Sequence, residues 1–398
     1  MELADRRIRY KAIEAYRKRP LIVYATSTRM NVSAMMAGDA VREFIDQLDS
    51  LPADTTEIDV LVHSTGGDAL AAWKLMSILR ERFDKVSVLV PFMAFSAATL
   101  FALGADEIVM HPHASLGPID PQITIQQPGG NFRVFAYEDV GAFLRFLSGE
   151  AKISDPKHTS GVIDKLFTVV DPVHVGAAKR ASELSASVGE RLLLLHMKGH
   201  KGKTRAKQIA ENLNKSFFAH GDAVSRTRAR ALELRVAADD KVLEKLIWEA
   251  YLGIESYMEF RKPFIPLQHY LNDPAGLAAL TPPAALVIPP NTPPQIAQQI
   301  WNAIGTQAVQ NAQAGAVEIP YKLVNAILES TTSASECVTK GKLTATRNVN
   351  GEIQIAGVET ESSWKQVASV TPPTPPLPGS ENPAPPGPNP EGGMPVNP

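Results

Sequence analysis

The chain has 398 residues, a mass of 43.0 kDa and 44% hydrophobic residues, enough for two to three domains with a sizeable buried core. Forty Lys and Arg against 42 Asp and Glu leave a net charge of -2, so no basic excess points to nucleic acid or an anionic membrane as the main partner. A single cysteine, Cys337, excludes an internal disulfide framework and any cysteine-rich metal site.

Residues 5–18 mix basic and apolar positions at helical spacing and predict a surface helix. No apolar h-region follows in the first twenty residues, and no stretch reaches the length of a membrane span. The expected location is therefore cytoplasmic, without an integral membrane segment. Pro20 opens a short buried strand, Leu21 to Thr26. Val41, Phe44, Ile45 and Leu48 mark one face of a helix over Ala37 to Leu48. Ile58 to Val62 reads as a second strand, followed by Gly66-Gly67 and a helix from Ala69 to Arg82. Val86 to Val90 is a third strand, a small-residue helix runs from Ser96 to about Leu103, and Ile108 to Met110 is a fourth strand. Strands without internal alternation, separated by helices, predict an α/β fold with a largely parallel sheet and flanking helices.

Further on, helices are expected over Ala136 to Ser148, over 173–198 with Leu192 to Leu195 buried, and over 204–214 and 222–234. Lys198 to Lys207 carries five Lys and Arg in ten positions, read as a solvated face or a local contact for phosphate or an acidic partner. Beyond 262 repeated prolines break the pattern. Two short helices are expected within 295–330, and Leu343 to Val358 alternates around Asn350-Gly351 as a β-hairpin does. Residues 371–398 hold 12 prolines and 4 glycines in 28, a composition that buries no core and predicts a disordered polyproline-rich tail. PPTPPLP at 372–378 suits a proline-recognising partner, with an inert linker as the plain alternative. The expected division is 1–262 as the core, 263–370 as an extension, and 371–398 as the tail.

Chemistry concentrates between Ile58 and Gln122. One strand ends in His63-Ser64-Thr65-Gly66-Gly67-Asp68 and opens a helix. Another ends at Pro91 and is soon followed by Phe95-Ser96-Ala97-Ala98. A third segment reads His113-Ala114-Ser115-Leu116-Gly117-Pro118-Ile119-Asp120-Pro121-Gln122. Glycines after a strand expose backbone N–H groups, and such groups at a helix start favour phosphate or an oxyanion. Taken alone, the glycine pair also fits an ordinary turn, and Ser96 an ordinary helix N-cap.

Together, VLVHSTGGDALAAWKLMSILR and VSVLVPFMAFSAATLFALGADEIVMHPHASLGPIDPQI resemble the Clp/crotonase fold, specifically the serine dehydrogenase proteinase family, related to the signal peptide peptidases. The likeness is strongest over about 20–125, weaker through DPVHVGAAKRA, RLLLLHMK and FFAHGDAVSRTRARAL, and absent from 265–398. It implies a serine peptidase with Ser96 as nucleophile, Gly66, Gly67 and Ala97 as oxyanion donors, a peptide or protein substrate, no cofactor and a homo-oligomer. No histidine stands where Clp proteases carry theirs, at 116–122. The related peptidases use a lysine, which implies Lys165 as first candidate with Lys152, Lys157 and Lys179 behind it; His111 and His113 are the histidine alternatives. Two rival readings stay open: a non-catalytic scaffold recruiting partners through the tail, and a crotonase-type acyl-CoA enzyme. The sequence holds no HExxH, no paired cysteines, no GxxxxGK[ST] and no GxGxxG, which speaks against zinc, NTP and dinucleotide chemistry.

Overall fold

The computed structural model describes residues 1–126, 130–153, 155–215, 223–280, 291–300, 302–303, 317–347 and 352–369. Its centre is a seven-stranded sheet. Strands β1 (Leu21–Thr26), β2 (Glu57–His63), β3 (Lys85–Val90) and β5 (Glu107–Met110) lie parallel, in that order. The expected strands are all present. The six residues of β1 are buried throughout, which is why they show no alternation.

On one face of the sheet pack α2 (Ala40–Asp49), α3 (Ala69–Arg82), α4 (Ala97–Leu103), α7 (Pro172–Leu194) and α8 (Gly199–Lys215), with Phe44, Leu75, Phe101, Leu192 and Ile209 in one continuous core. On the other lie α1 (Leu3–Arg17) and α10 (Lys241–Met258). Tyr10, Ile13, Ile247 and Ile254 meet Val23, Leu61 and Leu89 there. Helix α1 is thus not only a surface helix: its inner face completes a second core. Helix α10 follows a chain segment whose expected helix, 222–234, is instead a two-residue strand β9 (Val224–Ser225) and a short α9 (Arg226–Ala231).

The chain beyond 262 joins the same sheet. Strand β10 (Ile319–Glu329) pairs antiparallel with β1, and β11 (Ser333–Arg347) and β12 (Ile353–Ser369) follow it outward. The expected hairpin is there, longer at both ends, though its tip at 348–351 lies outside the described residues. Where a short helix was expected within 295–330, β10 runs extended. Ala326 and Leu328 enter the first core and Ile327 the second. A buried cluster ties α1 to β10: Arg6 Nε donates to Glu329 Oε2 at 3.0 Å and Tyr10 Oη donates to the same oxygen at 2.7 Å. Short helices α11 (Pro266–Asn272) and α12 (Pro274–Leu280) cover the end of β11, where Tyr270 and Leu280 pack with Leu343 and Ala345. The proline-rich 371–398 lies outside the described residues. Among the described residues no helix is long and apolar enough to cross a membrane.

Away from the sheet stand the hairpin β7 (Gln122–Gln126) and β8 (Phe132–Ala136), helix α5 (Tyr137–Gly149) and helix α6 (Pro156–Phe167). Helix α6 buries none of its residues, and Phe132, Val134, Phe146, Phe167, Val169 and Val173 of this region are exposed.

Candidate active site

The C-terminal ends of the parallel strands open on one edge, and two loops are laced together there. Ser64 N–H donates to Met93 O at 3.1 Å and Phe95 N–H donates to Ser64 O at 3.0 Å. This parallel bridge holds the loop after β2 against the two-residue strand β4 (Met93–Ala94) that leads into α4. Behind it, Thr26 Oγ1 donates to Ser64 Oγ at 2.8 Å, so β1 also supports the loop.

Both glycines sit at positive φ, +110° for Gly66 and +150° for Gly67. Each is needed for close approach as well. A Cβ on Gly66 would stand 2.5 Å from Ser96 Cβ and 2.6 Å from Phe95 O; one on Gly67 would stand 2.2 Å from Met36 O. Met36 N–H donates to Gly66 O at 2.7 Å and Asp68 N–H donates to Met36 O at 2.8 Å. A parallel bridge of this kind consumes the groups on either side of Gly67 and turns the Gly67 N–H away from Met36.

Ser96 is the first residue before α4 and has φ +52°, ψ −116°. A non-glycine residue in that region costs about 1–3 kcal/mol and is held only by its surroundings. Here the surroundings are the Ser64 bridge on one side and α4 on the other. Thr99 locks α4 in place, its hydroxyl bonding Ala94 O at 2.7 Å and Gly117 O at 3.0 Å. Although Ser96 is the cap residue, its side chain caps nothing, and among the described residues its hydroxyl has no hydrogen-bond partner. The hydroxyl is therefore free for chemistry rather than used for capping.

The backbone donors sort cleanly. Gly66 N–H is occupied, donating to Ser64 Oγ at 3.0 Å. The N–H groups of Gly67 and Ala97 reach no acceptor among the described residues. Ala97 directly follows Ser96 and adds the positive end of α4, and Gly67 directly follows Gly66, whose backbone touches Ser96 and Ala97. Ser64, which organises the glycine loop, is a residue the sequence reading quoted without giving it a role.

The candidate bases are elsewhere. Lys165 is exposed on α6, and Lys152, Lys157 and Lys179 are exposed too; Lys179 lies 3.7 Å from Glu183. None of the four is brought to Ser96. His111 stacks on Trp248 with ring centroids 4.7 Å apart, and its Nδ1 accepts the His113 N–H at 3.1 Å. Burial, with His113 beside it, pushes the His111 imidazole down to about 4. Neither histidine reaches Ser96. His63, at the end of β2, is fully buried between Phe260, Tyr251 and Phe92; desolvation alone holds it down to about 3. Its place at the end of a buried apolar strand is the sequence signal for this burial. Among the described residues no three His, Cys, Asp or Glu side chains gather to hold a metal.

Residues 31–139 match the family described as ClpP-like SDH-type serine proteinase, a span that contains Met36, the glycine pair, Ser96 and Ala97. Two curated relatives, both described as uncharacterized proteins of Methanocaldococcus jannaschii, are 30% identical over 198 residues and 39% identical over 217 residues. The matches take in 49% and 54% of this chain and 58% and 64% of those proteins, so the chain spans about three fifths of the relatives' length. Among solved structures, two forms of the 1510-N membrane-bound stomatin-specific protease, one with a substrate peptide, are similar at 16% identity. Their TM-scores are 0.33 and 0.31, covering 57% and 56% of this chain and 84% and 78% of theirs.

Proposed function

We propose, from the premise that residues 31–139 are a ClpP-like serine proteinase segment, that this protein hydrolyses peptide bonds through an acyl-enzyme on Ser96. The observation that carries the reading is Ser96 itself: a strained backbone, a hydroxyl without a partner among the described residues, and the Gly66 backbone packed against it. The substrate is a peptide or protein and no cofactor takes part.

Ser96 Oγ attacks the scissile carbonyl carbon and passes its proton to a lysine amine. The carbonyl oxygen takes the negative charge between the N–H groups of Gly67 and Ala97, where donors aimed at developing charge lower the barrier most. Gly66 serves by its lack of a side chain, which lets the loop touch Ser96. The ammonium then gives its proton to the leaving nitrogen as the C–N bond breaks. Water, deprotonated by the same amine, attacks the ester carbonyl and frees Ser96.

Lys165 is the first candidate for that amine. A general base must stand within hydrogen-bond reach of the hydroxyl it deprotonates. The role therefore requires that the segment from α5 to α6 close over the site with substrate, or against a second copy of the chain, so that burial lowers the amine's affinity for protons. The exposed apolar residues of that segment, among them Leu144, Phe146 and Phe167, support such a closure. A homo-oligomer is part of the proposal for the same reason.

A fluorophosphonate probe tests the reading. Labelling of Ser96, located by peptide mass mapping and lost in Ser96→Ala, is the expected result. A folded wild-type protein that stays unlabelled is what an inactive scaffold would give, and would end the proposal.

A further inference from the structure

A second feature of the same edge is a basic hollow of about 370 Å³ lined by Arg29, Arg261, Lys262, Phe264, His269 and Asn272 among others. We propose that it binds a peptide carboxylate and so selects substrates with a negative charge several residues from the scissile bond; this rests on the peptidase reading above.

The hollow is a built one. Arg29 is mostly buried, and its guanidinium is held from two sides: Nε donates to Lys262 O at 2.7 Å and Nη1 lies 2.9 Å from a Glu259 carboxylate oxygen. The group also lies over the Phe264 ring, 5.8 Å from its centre. The remaining amino group of Arg29 has no partner among the described residues. Arg261 forms no ion pair or hydrogen bond among them either. Among the described residues Glu259 is the one carboxylate in contact, shared by Arg29 and, at 3.4 Å, by Lys262. Three cations thus face one anion, and a fixed planar guanidinium beside a free one is the arrangement that suits a carboxylate. Phe264, with Pro263 and Ile265, gives the hollow an apolar side that accommodates the neighbouring residue of a peptide.

The hollow is also joined to Ser96. Phe264 N–H donates to Met30 O at 3.0 Å and Asn31 Nδ2 donates to Phe264 O at 3.0 Å, which fastens the loop after β1 to the hollow. The same loop runs on to Met36, which bridges Gly67. Thr28 Oγ1 stands 3.3 Å from His63 Nε2, three residues ahead of Gly66. Arg29 and Met36 are seven positions apart, at most about 25 Å of chain, so a peptide held at Ser96 reaches the hollow within about eight residues.

The test uses the full chain carrying Ser96→Ala and labelled peptides with Glu, Gln or Lys four to eight residues from the expected scissile bond, each as free acid and as C-terminal amide. Anisotropy titrations should show the Glu peptides, or the free acids, binding about tenfold tighter than their neutral counterparts. Which pair differs tells a side-chain carboxylate from a chain terminus. The preference should vanish at high salt, and Arg261→Glu should turn it towards the Lys peptides. Arg261 is exposed and unpaired, so a thermal melt should show that variant folded; Lys262→Glu is the second variant, with the same expected reversal. Equal binding of all peptides, absence of binding, or a preference unchanged in both variants would overturn the proposal. The two readings separate. Selective binding with no cleavage by the wild type leaves the hollow and removes the peptidase. Cleavage without charge preference does the opposite.

Discussion

Ser96 has the backbone of a residue forced into its place. Its φ of +52° is tolerable for glycine and strained for serine, so two inactive variants should differ in stability. Ser96→Ala keeps the strain. Ser96→Gly relieves about 1–3 kcal/mol of it and gives back up to about 1 kcal/mol through the freer unfolded chain, a net gain of about 1 kcal/mol. Urea unfolding of both proteins checks this: both should lack peptidase activity, and only the glycine variant should unfold at higher urea than wild type. A glycine variant no more stable than the alanine one would show that the serine is not strained. His63 makes a second prediction at this scale. It is neutral in the folded protein down to about pH 3, whereas an unfolded histidine takes a proton near pH 6.5. Below 6.5 the unfolded state binds the extra proton, so stability falls with pH by about 1.4 kcal/mol per unit, or about 2 kcal/mol between pH 6.5 and 5. His111, pushed down to about 4, acts in the same direction. Denaturation midpoints at pH 7.5 and 5 should show the loss, and His63→Phe should make the dependence shallower by one proton's worth.

Among the elements, α4 and α6 are opposites. Helix α4 is buried along its whole length and is pinned by Thr99, which suits an element that must hold a nucleophile still. Helix α6 buries nothing, and twelve residues of isolated helix are marginal in water. A base carried on α6 can arrive only by the ordering of that helix over the site. Lys165→Ala should therefore reduce turnover about as far as Ser96→Ala, because the pair acts as a unit, while leaving the melting temperature of the free protein unchanged. Lys165→Arg should not restore activity, since a guanidinium keeps its proton. Steady-state assays of both variants measure this; full activity in Lys165→Ala moves the role to Lys152, Lys157 or Lys179. Helix α10 carries a different lesson. Leu243, Ile247, Ala250, Ile254 and Met258 repeat at intervals of three and four residues, a helical pattern legible in the sequence alone.

For the molecule as a whole, the sheet depends on both ends of the chain. Strand β10 closes the β1 edge, its Leu328 and Ile327 fill opposite cores, and Glu329 neutralises Arg6 inside. Glu329→Gln leaves a buried guanidinium without its counter-charge and should cost about 3 kcal/mol, read as a shift in denaturation midpoint. Removing 371–398 should leave the melting temperature unchanged, because 12 prolines in 28 residues offer little apolar surface and few backbone donors. Cutting at 317 instead removes β10 to β12, bares the β1 edge and should give an insoluble chain. Melting curves and size-exclusion profiles of the two truncations distinguish these outcomes.

The sequence by itself determined the parallel strands, the helices between them, the glycine pair and the serine. Each of these is written in a few consecutive residues: an unbroken apolar run for a strand buried on both faces, a 3.6 period for a helix, two glycines where a loop must take positive φ. Three matters were decided only by the tertiary structure. The run IPYKLVNAILE has no clear period, and whether it is helix or strand depends on pairing with β1, whose partner residues lie 300 or more positions away. Which amides remain available depends on Ser64, whose hydroxyl occupies Gly66 and leaves Gly67 and Ala97 without acceptors. The distance from nucleophile to base is likewise invisible to spacing along the chain, since a lysine seventy residues on is near or far only as the elements between them fold. Local pattern records whether a residue is buried; which residue buries it is a long-range property, and in this protein the candidate chemistry turns on that second question.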